Sequence, residues 1–276
     1  MPTASIRAHL QHPVPRVVHS RQNARVKELR SGFARAGCTD QGHIAIEGEH
    51  LVGEAIASDL SFAAVFVQTG NEEILDGLNL PESAEILALP PEIFASAVRT
   101  ETPQGIAALV VPPAFTLEEV LAVDSTPLVV VSAGMQDPGN LGTLIRSAEA
   151  FGATGFVALP GTVSLYNQKT LRASSGSLFR LPTAAAKPDE LFAALSARMI
   201  LAVAAVAANG KSVTQHNFTA PSALILGNEG NGIPEDILQL AAKWVTIPTP
   251  GPVESLNAAI AGSILLYEAA RQRSLR

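Results

Sequence analysis

The feature that most constrains the fold is a series of uninterrupted apolar segments in the second half of the chain. These segments lack the alternation of apolar and polar residues that a strand with one solvent-exposed face shows. They are PLVVVSA (127–133), GFVALP (155–160), ILAVAAVA (200–207) and SALILG (222–227). Such strands are covered on both faces, which is typical of a mainly parallel sheet. Helical segments between them make this an α/β fold. Helices are predicted at 140–152, 167–179, 189–197, 234–242 and 255–272, and one further strand is predicted at 243–248.

The first half of the chain shows the same pattern on a smaller scale. Strands are predicted at 43–48, 62–67 and 105–111, and helices at 20–31, 48–58 and 91–98. Ser20 is the expected N-cap of the first helix. PPAFTLEEVLAVDSTP, with prolines at both ends, is interpreted as a connector that contains one short helix. The expected domains are a flexible N-terminus (1–15), a small α/β domain (16–111), a linker (112–126) and a parallel-sheet domain (127–276).

The composition is that of a globular protein. The 276 residues are 47% hydrophobic and 16% charged. No run of about 18 apolar residues indicates a membrane span, and the first residues lack the apolar region of a secretory signal. Cys38 is the single cysteine and the histidines are scattered, so neither a disulfide framework nor a metal site is predicted. These features favour a reducing, cytoplasmic setting.

Charge is distributed unevenly along the chain. The formal net charge is −6, yet residues 1–37 contain seven Arg or Lys and a single acid, Glu28. A basic arm on an acidic body is typical of a local phosphate-binding surface. The alternative is a solvated, partly disordered N-terminus.

Two familiar nucleotide-binding motifs fail on spacing. ANGKS (208–212) imitates the end of a phosphate-binding loop, but Ala205 stands where the first glycine is required. No G-x-G-x-x-G follows a predicted strand, which excludes the dinucleotide fingerprint.

The first of three unusual strand ends is DPGNLGTLIRSAEAFG (137–152). Pro138 and Gly139 turn the chain off a strand, and Asn140 is expected to cap the helix that follows. Arg146 lies six residues later, nearly two turns along that helix, so we place it roughly on the face of Asn140. Taken alone, Arg146 is an ordinary surface arginine.

The other two strand ends are ALILGNEGNGIPEDI (223–237) and VTIPTPGPVESLNAAIAG (245–262). In the former, three glycines surround Glu229, and glycines let backbone amides approach a ligand closely. In the latter, Ser255 and Asn257 stand at the expected start of the last helix. Each segment alone is compatible with an ordinary turn or helix cap. Three of them at the carboxyl ends of strands, where ligands bind in such sheets, indicate a binding site.

Together these segments resemble a known family. They are similar to the three motifs of the SpoU/TrmH family of RNA ribose 2′-O-methyltransferases: N-x5-R (140–146), LGNEGNGI (226–233) and IP-x6-SLN (247–257). YNQKTLRASSGSLFRLP (166–182) resembles the segment between motifs, so the resemblance covers 127–276. Three segments of the first half resemble the family's small substrate-binding domain, which is related in fold to RNA-binding ribosomal proteins: SRQNARVKELR, IAIEGEHLVGEAI and TETPQGIAALV.

The resemblance implies a fold and a cofactor. It implies a C-terminal parallel-sheet SPOUT domain with a deep trefoil knot, a small N-terminal α/β RNA-binding domain, and a homodimer formed through the methyltransferase domain. S-adenosylmethionine would lie bent between the loops of the second and third motifs. The implied cofactor-binding residues are Gly227, Asn228, Gly230, Ile247, Pro248 and Leu256.

The resemblance also assigns residues to catalysis and to RNA. The implied catalytic residues are Asn140, Arg146, Glu229, Ser255 and Asn257. With the charge distribution, it points to RNA contacts by Arg21, Arg25, Lys27, Arg30 and Arg172.

Arg146 poses a chemical problem for the mechanism. Methyl transfer is an in-line attack by the ribose 2′-oxygen on a sulfonium methyl, so the protein mainly positions the reactants and manages one proton. The family's arginine is commonly assigned as the base, but a guanidinium is effectively never deprotonated. We instead expect Arg146 to clamp the RNA phosphate beside the reacting ribose. Asn140 would orient Arg146, and Ser255 or Asn257 would hold the ribose or the cofactor.

Other functions remain open from the sequence. The expected substrate is 23S ribosomal RNA, by analogy of the two-domain layout, and transfer RNA is the alternative. A non-catalytic RNA-binding or ribosome-assembly protein on the same fold is a rival, although the intact catalytic set argues against it. A nucleotide-binding enzyme of the doubly wound class is disfavoured by the missing glycine fingerprint.

Overall fold

The chain divides after Pro113 into two units, each with its own sheet and core. The computed structural model describes residues 14–122, 125–253 and 255–274. The predicted flexible segment 1–15 therefore lies outside the described residues, except for positions 14 and 15. None of the described helices combines the length and the apolar composition that crossing a bilayer requires.

The first unit is a five-stranded mixed sheet with helices packed against it. Its strands are β1 (Arg16–Val17), β2 (Ile44–Glu47), β3 (Phe62–Gln68), β4 (Ile86–Leu89) and β5 (Ile106–Val110), and its helices are α1 (Ala24–Ala34), α2 (Glu49–Ala57) and α3 (Pro91–Val98). The strand order is β1-β4-β3-β5-β2, in which β5 runs antiparallel to both of its neighbours. Leu29, Phe66 and Phe94 are fully buried in the core between α1, α3 and the sheet.

Helix α1 begins later than predicted. Asn23 is its N-cap, and the side-chain oxygen accepts the backbone N–H groups of Arg25 and Val26. The hydroxyl of Ser20 instead accepts the backbone N–H of Gln22 within a preceding turn. The predicted Ser20 cap is wrong because the buried apolar positions set the start of the helix, and a cap must stand just before them.

The second unit is a seven-stranded sheet in which every neighbouring pair is parallel. Its strands are β6 (Leu128–Ala133), β7 (Gly155–Ala158), β8 (Thr183–Ala185), β9 (Leu201–Ala205), β10 (Lys211–Ser212), β11 (Ser222–Gly227) and β12 (Lys243–Thr246). The strand order is β10-β12-β9-β11-β6-β7-β8. The predicted parallel α/β sheet is confirmed, while the trefoil knot stays a prediction.

Among the described residues, seven α-helices accompany this sheet. They are α4 (Leu117–Leu121), α5 (Pro138–Ala150), α6 (Gln168–Ser174), α7 (Ser177–Arg180), α8 (Pro188–Ala197), α9 (Glu235–Leu238) and α10 (Ala258–Ser274). The predicted helix 167–179 is two helices, because Ser175 and Gly176 take positive φ values of 50° and 87°. Val120 and Leu121 of α4 are buried in the core of the second unit, so the helix predicted inside the linker packs as part of that unit.

Four short strands within the described ranges have no counterpart in the predictions. These are β1, β4, β8 and β10, none longer than four residues. Segments this short carry too little periodicity to be distinguished from loops, and partner strands distant in sequence decide whether they pair. The pairing of β4 with β1 and β3 completes the first sheet.

Candidate functional site

The three unusual strand ends meet at one edge of the second sheet. Because its strands are all parallel, the carboxyl ends of β6, β9, β11 and β12 lie together. The loop after β6 leads into α5 and Asn140, and the loop after β11 contains residues 228–233. The third loop leaves β12 and reaches Asn257 at the start of α10. This edge is where ligands bind in parallel α/β folds.

Asp137, rather than Asn140, caps α5. One carboxylate oxygen of Asp137 accepts the backbone N–H of Asn140 at 2.8 Å, and the other accepts from Lys169 Nζ at 3.1 Å. These two hydrogen bonds lower the pKa of Asp137. The predicted cap is therefore wrong, and the side chain of Asn140 remains available for partners outside its own helix.

The side chain of Asn140 joins all three loops. Its Nδ2 donates to Glu229 Oε1 at 2.9 Å, and its Oδ1 accepts from Asn257 Nδ2 at 3.0 Å. The Oδ1 of Asn257 in turn accepts the backbone N–H groups of Ala259 and Ile260, which caps α10. A carboxylate only accepts hydrogen bonds, so Glu229 determines which way the Asn140 amide points. We call Asn140, Glu229 and Asn257 the polar junction.

The loop after β11 folds back tightly on its own strand. Asn228 and Gly232 exchange two backbone hydrogen bonds of 2.8 and 3.0 Å, and Gly232 has a positive φ of 69°. A Cβ atom on Gly227 would overlap the backbone of Gly232 and Ile233. Gly227 is thus required by the close approach of two backbone segments.

Asn228 holds this loop against the end of β6. Its Nδ2 donates to the carbonyl oxygen of Gly134 at 3.0 Å, and its Oδ1 accepts the backbone N–H groups of Gly230 and Asn231. The side chain therefore satisfies loop groups that have no place in the sheet ladder. The predicted role of Asn228 in cofactor binding is compatible with this structural one, because the residue also lines the cavity described next.

A cavity of about 230 Å³ opens between the second and third loops. The predicted residues Gly227, Asn228, Glu229, Gly230, Ile247, Ser255 and Leu256 line it. Pro248 is not among its described lining residues, although its neighbours on both sides are. The predictions missed residues 205–207, Thr249 and Leu265. Their apolar or small side chains gave no chemical signal, and the sheet order alone brings the end of β9 here.

The cavity suits a cofactor with a flat apolar ring and a positive charge. Leu226, Val245 and Leu265 give it apolar walls, and Glu229 is the single ionisable residue among the described residues that line it. An adenine ring gains from the apolar walls, and a sulfonium gains from a nearby carboxylate. S-adenosylmethionine meets each of these conditions.

Arg146 is an exposed residue of α5. No hydrogen bond or ion pair of this side chain is found within the described ranges. Asn140 hydrogen-bonds to Glu229 and Asn257 and not to Arg146, so the expected orienting contact is absent from this arrangement. The guanidinium is thus open to a ligand.

The predicted RNA-binding residues fall into two groups. Arg25 donates to Glu85 at 3.1 Å and to Glu28 at 3.0 Å, and Arg30 donates to the backbone carbonyl of Ser96 at 3.4 Å. Arg21, Lys27 and Arg172 are exposed, and none of the three has a partner in the parts of the chain that the structure describes. The exposed group is the better suited to phosphate contacts.

Comparison with known proteins decides the family. The SpoU rRNA Methylase family matches residues 127–267, and the MRM3-like substrate binding domain matches residues 23–108. The 23S rRNA (guanosine(2553)-2′-O)-methyltransferase RlmP of Bacillus subtilis is 33% identical, over 91% of this chain and 97% of its own length. The chain belongs to the SpoU rRNA methylase family.

Further relatives extend the likeness of this SpoU methylase. A 23S rRNA (uridine(2479)-2′-O)-methyltransferase of Streptomyces viridochromogenes is 35% identical, over 68% of each chain. The solved structure of the SpoU methyltransferase AviRb from that organism, in complex with the cofactor AdoMet, has a TM-score of 0.80 at 28% identity, covering 92% of this chain and 99% of that one. An AdoMet-bound rRNA methyltransferase from Sinorhizobium meliloti also reaches 0.80, at 26% identity, covering 93% and 97%.

These likenesses confirm several predictions made from the motifs. The family, the α/β fold class, the enzyme class and the cofactor are those expected for this SpoU methylase. The knot, the roles of single residues and the homodimer stay predictions.

Proposed function

We propose that this chain transfers the methyl group of S-adenosylmethionine to the ribose 2′-hydroxyl of a nucleotide in 23S ribosomal RNA, in the cytoplasm. The observation that carries this proposal is the polar junction of Asn140, Glu229 and Asn257, which connects all three motif loops beside the apolar cavity. Two relatives named for 23S rRNA support a large-subunit substrate over transfer RNA.

The protein's task is to hold and orient the reactants. S-adenosylmethionine supplies a methyl group that its sulfonium already activates. Ile247 and Leu256 offer apolar contact in the cavity, and the loop after β11 contributes the carboxylate of Glu229. Glu229 is kept in place by Asn140, so its negative charge needs no reorganisation when a positive charge arrives. Ser255 lines the same cavity with a hydroxyl that can hold the ribose or the cofactor.

Arg146 is proposed to bind the RNA rather than the cofactor. It is absent from the described lining of the cavity, it is exposed, and its guanidinium has no protein partner among the described residues. A planar fork with five N–H donors binds a phosphate through two hydrogen bonds at once. Fixing the phosphate beside the reacting ribose would orient its 2′-hydroxyl for in-line attack.

Substitutions at Arg146 test this assignment. Arg146→Ala should lower methyl transfer by roughly 100-fold or more through misplaced substrate, and leave the cofactor Kd within a few-fold. Arg146→Lys should also be poor, because an ammonium cannot form the bidentate contact. Lys211→Ala, at another exposed cation of the same unit, is the matched control and should behave as wild type.

The measurements are methyl transfer to unmodified 23S rRNA and to transfer RNA, with cofactor binding by calorimetry. High turnover of the lysine variant would refute the bidentate role. Wild-type activity on transfer RNA alone would refute the substrate, and cofactor binding without any transfer would favour the RNA-binding rival.

A homodimer through α5 and α10 belongs to the same proposal. Ile260, Ile264 and Tyr267 of α10 are 54%, 38% and 56% exposed, and their spacing places them on one side of the helix. The ring of Phe151, at the end of α5, lies 5.9 Å from that of Tyr267. An apolar stripe of this kind is typical of a subunit interface. Ile264→Lys should yield monomers in sedimentation, and an unchanged mass would refute this interface.

A further inference from the structure

A second cleft lies at the same edge of the parallel sheet, beyond the carboxyl ends of β7 and β8. It has a volume of about 590 Å³, and residues 158–166 and 185–190 contribute its walls. None of its lining residues belongs to the three motif loops. The proposed cofactor site therefore leaves this cleft unexplained.

Hydrogen bonds connect this cleft to the cofactor cavity through the end of β6. Thr162, in the cleft wall, accepts the backbone N–H of Gly134 at 3.2 Å, and the N–H of Val163 donates to the carbonyl of Met135 at 2.8 Å. The carbonyl of the same Gly134 accepts from Asn228, which lines the cofactor cavity. The end of β6 therefore separates the cleft from the cofactor cavity and is hydrogen-bonded to residues that line each of them.

The two spaces are close enough for one substrate to reach both. Strands β11 and β7 flank β6 on opposite sides, and neighbouring strands lie about 4.8 Å apart, so their ends are separated by roughly 10 Å. An RNA strand whose ribose reacts beside the cofactor must place its bases within a comparable distance. The cleft stands on that path.

The lining of the cleft matches the surfaces of a nucleobase. Val163, Leu165 and Tyr166 are half-buried and offer an apolar and aromatic wall. Lys187 and Glu190, whose side chains are 73% and 57% exposed, stand at the rim with donor and acceptor groups. Single-stranded RNA is recognised in this way, by stacking of a splayed base on an aromatic ring and hydrogen bonds to its edges.

We propose that this cleft binds a nucleobase of the substrate RNA strand, stacked on Tyr166 and contacted at its edge by Lys187 and Glu190. The inference rests on the proposed function, because it takes the ligand to be the RNA that is methylated. It adds to that function a second contact with the substrate, set apart from the cofactor by the end of β6.

Substitution of Tyr166 in the full chain tests the stacking. Tyr166→Leu should raise the KM for unmodified 23S rRNA roughly tenfold or more, while the cofactor Kd stays unchanged. Tyr166→Phe keeps the ring and should keep the KM, which separates stacking from any structural role of the hydroxyl. Thermal unfolding of both variants verifies that they are folded. An unchanged KM in folded Tyr166→Leu would overturn the proposal.

Photo-cross-linking tests the cleft without relying on turnover. A 4-thiouridine-substituted 23S rRNA transcript should cross-link to wild type within residues 158–166, and less to Tyr166→Leu. Cross-links confined to other segments would overturn the cleft as a base site, whether or not the protein is active. A wild type that binds this RNA at the cleft but transfers no methyl group would sink the proposed function and keep the cleft.

Discussion

At the scale of single residues, Asn140 illustrates how one amide can organise a site. It presents a donor to Glu229 and an acceptor to Asn257 at the same time, at 2.9 and 3.0 Å. A carboxylate lacks the donor and a hydroxyl is too short to reach both partners. Asn140 is therefore best described as a positioning residue that keeps Glu229 at the mouth of the cavity.

Asn140→Asp should disturb this arrangement through charge. The new carboxylate would face that of Glu229, and two like charges at hydrogen-bond distance repel each other. We expect weaker cofactor binding, by about tenfold, and partial recovery in the double variant Asn140→Asp/Glu229→Gln, in which Gln supplies the missing donor.

Calorimetry on the two single variants and the double variant measures the coupling. A coupling free energy of about 1 kcal/mol or more is expected for residues in direct contact. Asn231→Asp, an exposed residue of the same loop, is the control and should combine additively with Glu229→Gln. Additive behaviour of the Asn140 pair would refute the positioning role.

Substitutions of Gly230 and Gly227, at the loop after β11, should have different effects. A Cβ on Gly230 would meet nothing nearer than Asn228 Oδ1, at 3.6 Å, so Gly230→Val should fold. Its side chain would stand at the cavity that Gly230 lines, and cofactor affinity should fall. Gly227→Ala should instead lower the Tm, because its Cβ overlaps backbone. Normal cofactor affinity in folded Gly230→Val would place the cofactor elsewhere.

At the scale of elements, the end of α10 is anchored by an arginine. Arg273 donates to the backbone carbonyls of Thr126, Pro127, Phe218 and Ala220 at 2.8 to 3.1 Å. Burial lowers the pKa of its guanidinium. The contacts tie the last helix to the chain segments that precede β6 and β11, two neighbouring central strands.

Arg273→Ala should destabilise the second unit by about 3 kcal/mol, because several carbonyls lose a charged donor together. Arg273→Lys should recover only part of this loss, since an ammonium cannot reach carbonyls arranged around a planar fork. Ser274→Ala, at the next and exposed position, is the control. Urea denaturation measures the free energy of unfolding, and equal midpoints for Arg273→Ala and the control would contradict the anchoring role.

At the scale of the whole molecule, the basic arm is smaller than its charge count indicates. Residues 38–113 contain twelve acidic residues and one basic residue, Arg99. Glu85 binds both Arg16 and Arg25, and Asp40 binds Arg35. Several of the arginines that make this segment basic therefore form ion pairs within the first unit.

The remaining exposed cations should account for RNA attraction by the first unit. Neutralising Arg21 and Lys27 together should lower the slope of log affinity against log salt by about 1.4, since each contact with single-stranded RNA contributes about 0.7. Cofactor binding should be unchanged. Arg25→Ala should mainly lower stability, because the buried Glu28 loses its ion pair with Arg25 and is left with its contacts with His43 and Thr39.

RNA binding over a range of salt concentrations provides the measurement. Identical slopes for wild type and the double variant would mean that the arm is only a solvated surface. The RNA path would then run over the second unit, along Lys169, Arg172 and Arg180.

Local patterns were sufficient for much of the architecture. The apolar runs at 127–133 and 222–227 predict buried parallel strands because both faces of such strands are covered, a property of each segment alone. Through their resemblance to the SpoU/TrmH motifs, the three loops also predicted the cofactor and part of the cavity lining, including Gly227, Ile247 and Leu256.

Partners distant in the chain decided the rest. Asn140 was expected to cap its own helix, yet it bonds to residues 89 and 117 positions away, because Asp137 already fills the cap. Arg25 was expected to contact RNA, and its guanidinium donates a hydrogen bond to Glu85, which is 60 positions away in the chain. The periodicity of apolar residues is a property of neighbours along the chain. The hydrogen-bond partner of a side chain instead depends on which groups folding brings within about 3 Å. The second cleft beside β6 has the same origin, since only the strand order places it next to the cofactor cavity.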